Sequence, residues 1–314
     1  MNFHVDAWDP SYGASLDASE PGTAEGLDTD VEALSKKWRP IGAAEGVRAP
    51  AVILMVDGIR RIDARIWTSG ESGMPPSPGL AASYAAGVVR CAGGPATVAA
   101  ATVERGIFTT SRDQPDVDAG SSVKYRAVCI EGAEDADLTV AVNVALQRLE
   151  QEVTARVVDS LPDGGDELVI VDGPLRGSGV SGRVLGYAKT QQKQYLPAEL
   201  LPVVGALASG ERTPVFRIGR NRQRYTWYLR QPGGVPIPWS GVVRLECSAE
   251  LTVEQAVRLA NVSAATLPRY ASSAIKDPRA PQQLVPIAGL EQRLRRMLGD
   301  TKLLQRALIT ASAR

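Results

Sequence analysis

The sequence predicts an α/β protein in which a mixed β-sheet is flanked by helices. Short apolar runs, some uninterrupted and some alternating with polar residues, are typical of strands and occur along most of the chain. Between residues 137 and 161 the apolar spacing becomes that of a helix. With 314 residues, 44% of them apolar and 22% charged, the chain has the composition of a globular protein and can bury a full core.

Net charge and residue counts exclude several classes of function. The formal net charge is zero, so binding to nucleic acid must come from a local patch. No run of 18 apolar residues and no signal sequence is present, so we expect a cytoplasmic protein without a membrane span. Three scattered cysteines favour reduced thiols. Because His4 is the one histidine, a Ser-His-Asp site and most zinc sites are excluded, and carboxylates with a hard metal are favoured.

The chain divides into an arm and one domain. Residues 1–35 hold eight acids and no Lys or Arg, which predicts a mobile acidic arm. Residues 36–314 are predicted to form a single domain, with an insertion around residues 111–122.

The elements follow from periodicity and turn residues. Residues 51–57 form an uninterrupted apolar strand, and Gly58 suits a tight reversal into a second strand at 59–67. A third strand at 80–91 is expected to be antiparallel. Further strands are predicted at 97–108, 125–132, 168–172, 183–191, 213–219, 224–230 and 241–247. Helices are predicted at 137–161, 198–208, 252–270 and 286–311.

The order of three antiparallel strands, a helix and another strand matches the ribonuclease H-like arrangement. In that arrangement the first strand and the strand after the helix lie side by side. The first ends at Asp57 and the other at Asp172, both followed by glycine. The simple alternative is that each Asp-Gly pair is only a turn. Two separate core strands that each end on a carboxylate favour a shared metal site instead. Hydrolysis of a phosphodiester by two metal ions needs several carboxylates that converge in this way.

Two further acids complete the predicted cluster. On the helix before Asp172, Glu150 lies about 60° from the centre of the apolar face and Glu152 about 100°, so Glu150 is favoured and Glu152 is the alternate. Glu291, in the helix that starts near Pro286, is the fourth candidate, although it could simply pair with Arg295 on the surface. Asp277 and Asp300 are interpreted as a loop residue and a helix cap.

The order of these motifs resembles that of the NurA nuclease family. The shared marks, between about residues 50 and 300, are "VDG", the helix glutamate, "VDGPL", "GYAK", the strand pair "WYLR" and "VVRLE", and "PIAGLE". The resemblance implies that Asp57, Glu150 and Asp172 bind Mn²⁺ or Mg²⁺ and that Lys189 lies near the scissile phosphate. The family usually has histidine where this chain has Glu291, and we expect Glu291 to replace it as a ligand.

The resemblance also implies partners. These are DNA, as single strands or duplex ends, a second copy of the chain in a homodimer, and a hexameric HerA-type ATPase. The implied role is end processing in DNA repair or in anti-phage defence. No P-loop is present, so ATP-driven motion would come from the partner. The alternative is a catalytically weak DNA-binding subunit that regulates a HerA-type motor.

An arginine-rich stretch at residues 211–230 is the predicted DNA contact. Its six arginines alternate with Phe216, Tyr225, Trp227 and Tyr228. Arginine binds phosphate, and aromatic rings stack on unpaired bases. We expect Arg220, Arg222 and Arg224 to face DNA, together with Lys189, and the rings to divide between the core and the DNA. The alternative is a hairpin whose rings face the core.

Overall fold

The computed structural model describes residues 26–68, 76–120, 123–131, 135–176, 183–190, 194–219, 223–234 and 239–313. The strands are β1 (Val52–Thr68), β2 (Ser77–Cys91), β3 (Thr97–Thr109), β4 (Val117–Asp118), β5 (Lys124–Cys129), β6 (Glu167–Asp172), β7 (Val184–Ala188), β8 (Phe216–Ile218), β9 (Arg224–Arg230) and β10 (Val242–Ser248). The α-helices are α1 (Asp135–Asp159), α2 (Leu201–Gly205), α3 (Val253–Thr266), α4 (Val285–Met297) and α5 (Thr301–Ser312), and 3₁₀ turns lie at Ser35–Lys37, Ala198–Leu200 and Leu267–Tyr270.

The strand order confirms the predicted mixed sheet. It runs β4-β5-β3-β2-β1-β6-β7-β10-β9-β8. β1 pairs in parallel with β6, and β6 with β7. β10 and β9 extend the sheet in antiparallel pairs. The first strand, β1, and the strand after helix α1, β6, therefore lie side by side, as the predicted arrangement requires. Among the described residues, no helix is both long and apolar enough to cross a membrane.

The chain separates into two compact units. The first comprises Met1–Val56, Val89–Thr97 and Ala155–Gly289, and its described part contains β6 to β10 with α2 and α3. Its core is an apolar cluster of Trp38, Leu196, Leu200, Val204, Leu207, Phe216, Ile218, Tyr228 and Val242. The rings of Trp38 and Phe216 lie 5.6 Å apart. Helix α3 is joined to β9 by a hydrogen bond that Trp227 Nε1 donates to Ser263 Oγ, at 3.1 Å.

The second unit comprises Asp57–Val88, Val98–Thr154 and Leu290–Arg314. It contains most of β1, β2, β3 and α1, together with β4, β5 and α5. Leu308 of α5 packs into an apolar cluster with Ala81, Ile107, Ala119 and Tyr125. Gly87 of β2 allows a close approach of α4, because a Cβ there would lie 3.1 Å from methyl carbons of both Leu290 and Leu294.

Two element boundaries differ from the sequence prediction. No reversal occurs at Gly58: β1 continues through it to Thr68. Glycine is needed there because side chains of helix α1 pack directly against its backbone. The single helix predicted at 286–311 is two helices, because Gly299 takes a left-handed conformation (φ +81°) and Asp300 begins the next helix. Asp300 Oδ1 accepts the N–H of Leu303 at 3.0 Å, which confirms its interpretation as a cap.

Residues 26–35, the last part of the predicted acidic arm, are docked on the first unit. Residues 1–25 lie outside the described part, but the segment from residue 26 onwards belongs to the first unit. The backbone of Asp28 pairs with that of Arg217 through two 2.9 Å hydrogen bonds. Glu32 accepts hydrogen bonds from Arg212 Nη1 and Nη2, each at 2.8 Å. Because acids in sequence give no sign of a distant arginine, composition alone predicted an arm where the chain is docked.

Candidate metal centre

Parallel pairing brings the two Asp-Gly strand ends together. Val56 of β1 is in register with Val171 of β6. The next residue on each strand is an aspartate, so the pairing places Asp57 beside Asp172. Carboxylate oxygens of Asp57, Asp172 and Glu291 all lie within 4.8 Å of one another. Three of the four acids favoured from sequence are therefore close enough to share an ion.

Asp57 is held at the middle of a long strand rather than in a turn. It is 7% exposed, and its Oδ1 accepts the N–H of Gly58 at 2.8 Å. A carboxylate is costly to bury without hydrogen bonds or ion partners. Asp57 directly follows the buried residues Ile53–Val56 and is itself buried, which favours a role for its charge over a simple turn.

Gly58 explains where Glu150 lies. A Cβ at Gly58 would overlap Glu150 Oε1 and would lie 2.7 Å from Leu146 Cδ1 and 3.0 Å from Glu150 Cγ. The Glu150 side chain thus rests on the backbone directly after Asp57. Thr154 Oγ1 donates to the Glu150 carbonyl at 2.7 Å. Glu150 is outside the group of three within 4.8 Å, but it is adjacent to Asp57 through this glycine.

The alternate helix acid has a different environment. Glu152 Oε1 accepts a hydrogen bond from Arg148 Nε at 3.0 Å, and the two side chains are 38% and 80% exposed. An exposed pair of this kind contributes little to stability and serves solubility. The sequence preference for Glu150 over Glu152 agrees with this geometry.

Glu291 is placed by the packing of α4. Leu290 and Leu294, on either side of it, are buried against Gly87. Glu291 itself is 7% exposed, and Arg295 Nη2 lies 3.9 Å from its Oε2. The surface pairing that sequence offered as an alternative is therefore present at a long distance. It coexists with the position of Glu291 in the acidic cluster.

Lys189 is buried beside Asp172. Its Nζ donates to Asp172 Oδ2 and to Gln283 Oε1, and it is 4% exposed. The family resemblance implied a role for Lys189 of the "GYAK" motif, but Gln283 was missed. Gln283 is fully buried, and its carbonyl accepts the N–H of Ser272 at 2.8 Å. Two adjacent glutamines before an apolar helix are the one sequence sign that could have indicated it.

The loop after Asp172 is fixed from two sides. Gly173 has φ +103° and donates its N–H to the Tyr187 carbonyl at 2.9 Å. The Leu175 N–H donates to Glu246 Oε2, also at 2.9 Å. A Cβ at Gly186 would lie 2.5 Å from the Leu175 nitrogen, so the loop lies flat on β7. The two Asp-Gly pairs therefore need their glycines for different reasons, packing at Gly58 and a left-handed turn at Gly173.

Glu246 is a second residue that sequence reasoning missed. It is fully buried on β10 and accepts hydrogen bonds or ion pairs from Arg244 Nη2 at 2.9 Å and Arg224 Nη1 at 3.3 Å. Burial lowers the pKa of Arg244, but the adjacent Glu246 carboxylate outweighs it and the net shift is upward. The signal in sequence was two opposite charges at i and i+2 in an otherwise apolar strand, which places both on one face.

The arginine-rich stretch is mostly occupied by contacts inside the protein. Arg212 pairs with Glu32, Arg217 with Asp28 at 3.2 Å, and Arg224 with Glu246. Arg230 donates to backbone carbonyls, including that of Gly205 at 3.2 Å. Arg220 and Arg222 lie outside the described residues.

The aromatic residues of the same stretch are in the core. Phe216, Tyr225, Trp227 and Tyr228 are 0%, 7%, 0% and 1% exposed, so the prediction that some of the rings face DNA is wrong. Burial raises the pKa of Tyr228 to about 12. Alternation along β9 had favoured the core for some rings, but the opposite face of the strand is covered too.

The chemistry of the acidic cluster fits a hard divalent ion. Asp57, Asp172 and Glu291 offer oxygen donors from three different elements, and Asp57 and Glu291 are shielded from solvent. Mg²⁺ and Mn²⁺ prefer such oxygen ligands, whereas Zn²⁺ sites usually contain His or Cys. The donor set is therefore suited to Mg²⁺ or Mn²⁺.

One solved structure supports this fold over most of the chain. The chain is similar to the NurA nuclease from Sulfolobus solfataricus, with a TM-score of 0.50 and 12% identity. The match covers 87% of this chain and 88% of that one. It is similar to a lesser degree to the catalytic domain of human endonuclease V (TM-score 0.36, 17% identity, 82% of this chain and 86% of that one). A NurA structure solved with manganese matches over 45% of this chain and 23% of its own length, with a TM-score of 0.20 and 17% identity.

Sequence comparison supplies the family. No curated protein matches the chain. The family model of the NurA domain matches residues 70–295, a range that includes Glu150, Asp172, Lys189 and Glu291 and begins after Asp57. Since that range is well over half of the sequence, the chain belongs to the NurA family.

Proposed function

We propose that this chain is a divalent-metal-dependent nuclease that hydrolyses phosphodiester bonds in DNA. The observation that carries the proposal is the meeting of Asp57, Asp172 and Glu291 carboxylates within 4.8 Å. Membership of the NurA family and the fold shared with the Sulfolobus nuclease support it.

Asp57, Asp172 and Glu291 are the proposed ligands of Mn²⁺ or Mg²⁺, and Glu150 is the proposed fourth. When bound, the ion would supply Lewis-acid stabilisation of the charge that develops on the phosphate and would favour ionisation of water. Glu150 rests on Gly58, the residue directly after Asp57, and this position is the reason to propose it as the fourth ligand. Arg295 lies close enough to Glu291 to limit the negative charge of the cluster.

Lys189 is the proposed positive group beside the scissile phosphate. It holds Asp172 Oδ2 through its Nζ, and Gln283 fixes the same nitrogen from the other side. Because an ammonium group has three donors, Nζ can keep both contacts and still donate to a phosphate oxygen. Glu246 keeps the loop after Asp172 in place through the Leu175 N–H. These residues orient the carboxylate and place a positive charge without themselves exchanging a proton.

The proposed partners follow from the family. They are DNA ends or single strands, a second copy of the chain, and a HerA-type hexameric ATPase, in DNA repair or anti-phage defence. The cytoplasm is the proposed location. The contacts of Arg212, Arg217 and Arg224 with acids weaken the earlier assignment of the arginine-rich stretch to DNA. Arg220, Arg222 and Arg224 remain proposed contacts, with Arg224 already paired to Glu246.

A cleavage assay tests the proposal. Purified protein is incubated with a labelled single strand and a blunt duplex in Mn²⁺, in Mg²⁺ and in EDTA. We expect cleavage with either ion, none in EDTA, and a loss of at least about 10²-fold in Asp57→Asn and Asp172→Asn. Asp118→Asn, a change of an exposed aspartate, is the matched control. Wild-type rates in both site variants would contradict the proposed site.

The same assay separates the alternative function. A wild-type protein that binds the oligonucleotide but leaves it intact with either ion would be a DNA-binding subunit. In that case its effect on the ATPase rate of a HerA-type partner would be the measurement to make. The glutamate at position 291, where the family usually has histidine, is the observation that keeps this alternative in view.

A further inference from the structure

We infer that the exposed basic residues of α4 and α5 form the surface on which a nucleic-acid backbone lies as it reaches the acidic cluster. We call it the C-terminal basic surface, and it consists of Arg293, Arg295, Arg296, Lys302 and Arg306. The inference rests on the proposed function, since it names the route of the substrate to that site. It moves the principal nucleic-acid contact away from the arginine-rich stretch of β8 and β9.

The local charge of this segment differs from that of the whole protein. The chain has 35 basic and 35 acidic residues. Residues 285–313 contain five basic residues and two acids. Of the two acids, Glu291 belongs to the acidic cluster, and Asp300 Oδ1 accepts the Leu303 N–H as the cap of α5. The segment therefore has a surplus of positive charge, as a local patch for a polyanion requires in a neutral protein.

Helix periodicity places the basic residues of α4 on the outside. Leu290, Leu294 and Leu298 are buried, whereas Gln292, Arg293, Arg295 and Arg296 are exposed. At 100° per residue the four exposed positions span an arc of about 160°.

α5 shows the same division. Lys302 and Arg306, one turn apart, are exposed, and Leu304 and Leu308 are buried.

The basic side chains are available for a ligand. Among the described residues, Arg293, Arg296, Lys302 and Arg306 have no carboxylate within ion-pair distance. Arg295 lies 3.9 Å from Glu291, and its side chain is 70% exposed. By contrast, Arg212 is buried against Glu32 with 1% of its side chain exposed. Releasing Arg212 would break a buried pair, whereas the helix residues can bind phosphate at no such cost.

The position and rigidity of the surface suit substrate delivery. Arg295 is one helical turn after Glu291, so the surface begins at the acidic cluster. The end of α4 is held by two arginines from the sheet. Arg61 Nη1 donates to the Gly299 carbonyl at 2.7 Å, and Arg105 Nη2 to that of Leu298 at 3.2 Å. Arg61 is itself oriented by Asp63 Oδ1 at 2.8 Å. A phosphate bound on this helix would therefore keep a fixed distance from Glu291.

The phosphate backbone of a nucleic acid is the occupant that this chemistry fits. Arginine predominates, and it recognises phosphate through two parallel donors. The surface has no exposed aromatic ring to stack on bases, because α4 and α5 contain none. Binding should consequently be independent of sequence and sensitive to salt.

Binding titrations with a charge-removal variant test the inference. The variant replaces Arg293, Arg296, Lys302 and Arg306 by Gln and leaves Arg295 intact because of its contact with Glu291. The control replaces four other exposed basic residues, Lys36, Arg39, Arg258 and Arg269, by Gln. Fluorescence anisotropy with a labelled 20-nucleotide single strand in EDTA at 50–200 mM salt, together with melting temperatures, gives affinity, salt slope and folding.

If each of the four residues contacts a phosphate, the negative slope of log K against log salt should become shallower by about 3. Each contact on a single strand contributes ~0.7 to the magnitude of that slope. We expect affinity at 100 mM salt to fall at least about tenfold, with a much smaller loss in the control. Hydrolysis of bis(p-nitrophenyl) phosphate in Mn²⁺ should remain at the wild-type rate, because that small substrate does not reach the surface.

Unchanged affinity and salt slope in the variant, or an equal loss in the control, would overturn the inference. An acidic protein partner would then be the better occupant of the surface. The titration is independent of the proposed function, because it contains no metal ion. A wild-type protein that binds DNA and cleaves nothing would refute the nuclease but leave the surface standing.

Discussion

Replacing Gly58 by Ala should weaken metal binding and cleavage much more than it lowers the stability of the fold. An alanine Cβ would lie 2.7 Å from Leu146 Cδ1 and 3.0 Å from Glu150 Cγ, and it would overlap the Glu150 carboxylate. Carbon atoms in contact are normally about 3.5–4.0 Å apart, so both side chains must move by roughly 0.5–1 Å. Both have free ends that can rotate. The cost in unfolding free energy should therefore stay at the lower end of the ~1–3 kcal/mol typical of overpacking.

The effect on function should be larger than the effect on folding. A metal ligand tolerates a displacement of about 0.2 Å, and a misplacement near 1 Å can cost about 10²-fold in rate. If Glu150 is a ligand, Gly58→Ala should reduce cleavage by that order. It should also reduce the rise in melting temperature that saturating Mn²⁺ gives, because weaker binding to the native state stabilises it less.

A double-mutant cycle identifies the cause. Cleavage and the Mn²⁺-induced melting shift are measured for Gly58→Ala, Glu150→Gln and the double variant. Gly94→Ala is the control, since a Cβ there meets nothing within 4 Å, although Gly94 has a left-handed neighbour in Gly93. If alanine acts by displacing Glu150, the double variant should be no worse than Glu150→Gln alone. Wild-type cleavage and melting shift in Gly58→Ala would refute the reasoning, and fully additive losses would show that alanine acts elsewhere.

Three further outcomes are expected. Glu291→Gln should lose most cleavage and most of the Mn²⁺-induced melting shift; wild-type behaviour would make Glu291 a surface partner of Arg295. Glu152→Gln should keep nearly all cleavage, because that carboxylate pairs with Arg148 in solvent, and a loss equal to that of Glu150→Gln would reverse the assignment. Burial raises the pKa of Asp277, but hydrogen bonds from Arg279 outweigh it and hold the pKa below the ordinary value. Its stabilisation is therefore complete above the unfolded pKa and lost as the pH falls through the folded one. Asp277→Asn should therefore destabilise the protein at pH 7 and destabilise it less as the pH falls, as measured by urea unfolding at each pH; a cost independent of pH would contradict this.

Local pattern was sufficient for most elements and for selecting three acids that the fold brings together. Apolar runs and helical spacing predicted β6, β7, β9, β10 and α1 close to their observed bounds. The choice of Glu150 over Glu152 came from helix phase, and helix phase depends on near neighbours in sequence alone. Because the one histidine is His4, near the start of the chain, the expected metal ligands were carboxylates before any distance was known. The same reasoning gave Asp300 as a cap.

Gly58 and Glu32 show where local pattern was insufficient. An Asp-Gly pair can form a turn, or it can lie in a strand where the glycine leaves room for a side chain from a helix. The choice between them depends on Glu150, far away in sequence. The acids of residues 26–35 predicted a mobile arm because their partners Arg212 and Arg217 are nearly 200 positions later. The aromatic residues of β9 were predicted to lie partly in the core and partly against DNA, but all of them are buried. Alternation along a strand cannot indicate that both of its faces are covered.

The sequence by itself determined the chemical inventory of this protein. It determined which metal-ligand side chains are available and that two core strands end on aspartate. It also determined that the residues after Glu291 carry more positive than negative charges. The tertiary structure alone decided which charges are free to act. It paired Arg212, Arg217 and Arg224 with acids, set Lys189 between Asp172 and Gln283, and left the arginines of α4 exposed. The physical reason is that a charge is neutralised by what lies within a few ångströms, and folding brings those neighbours from distant parts of the chain.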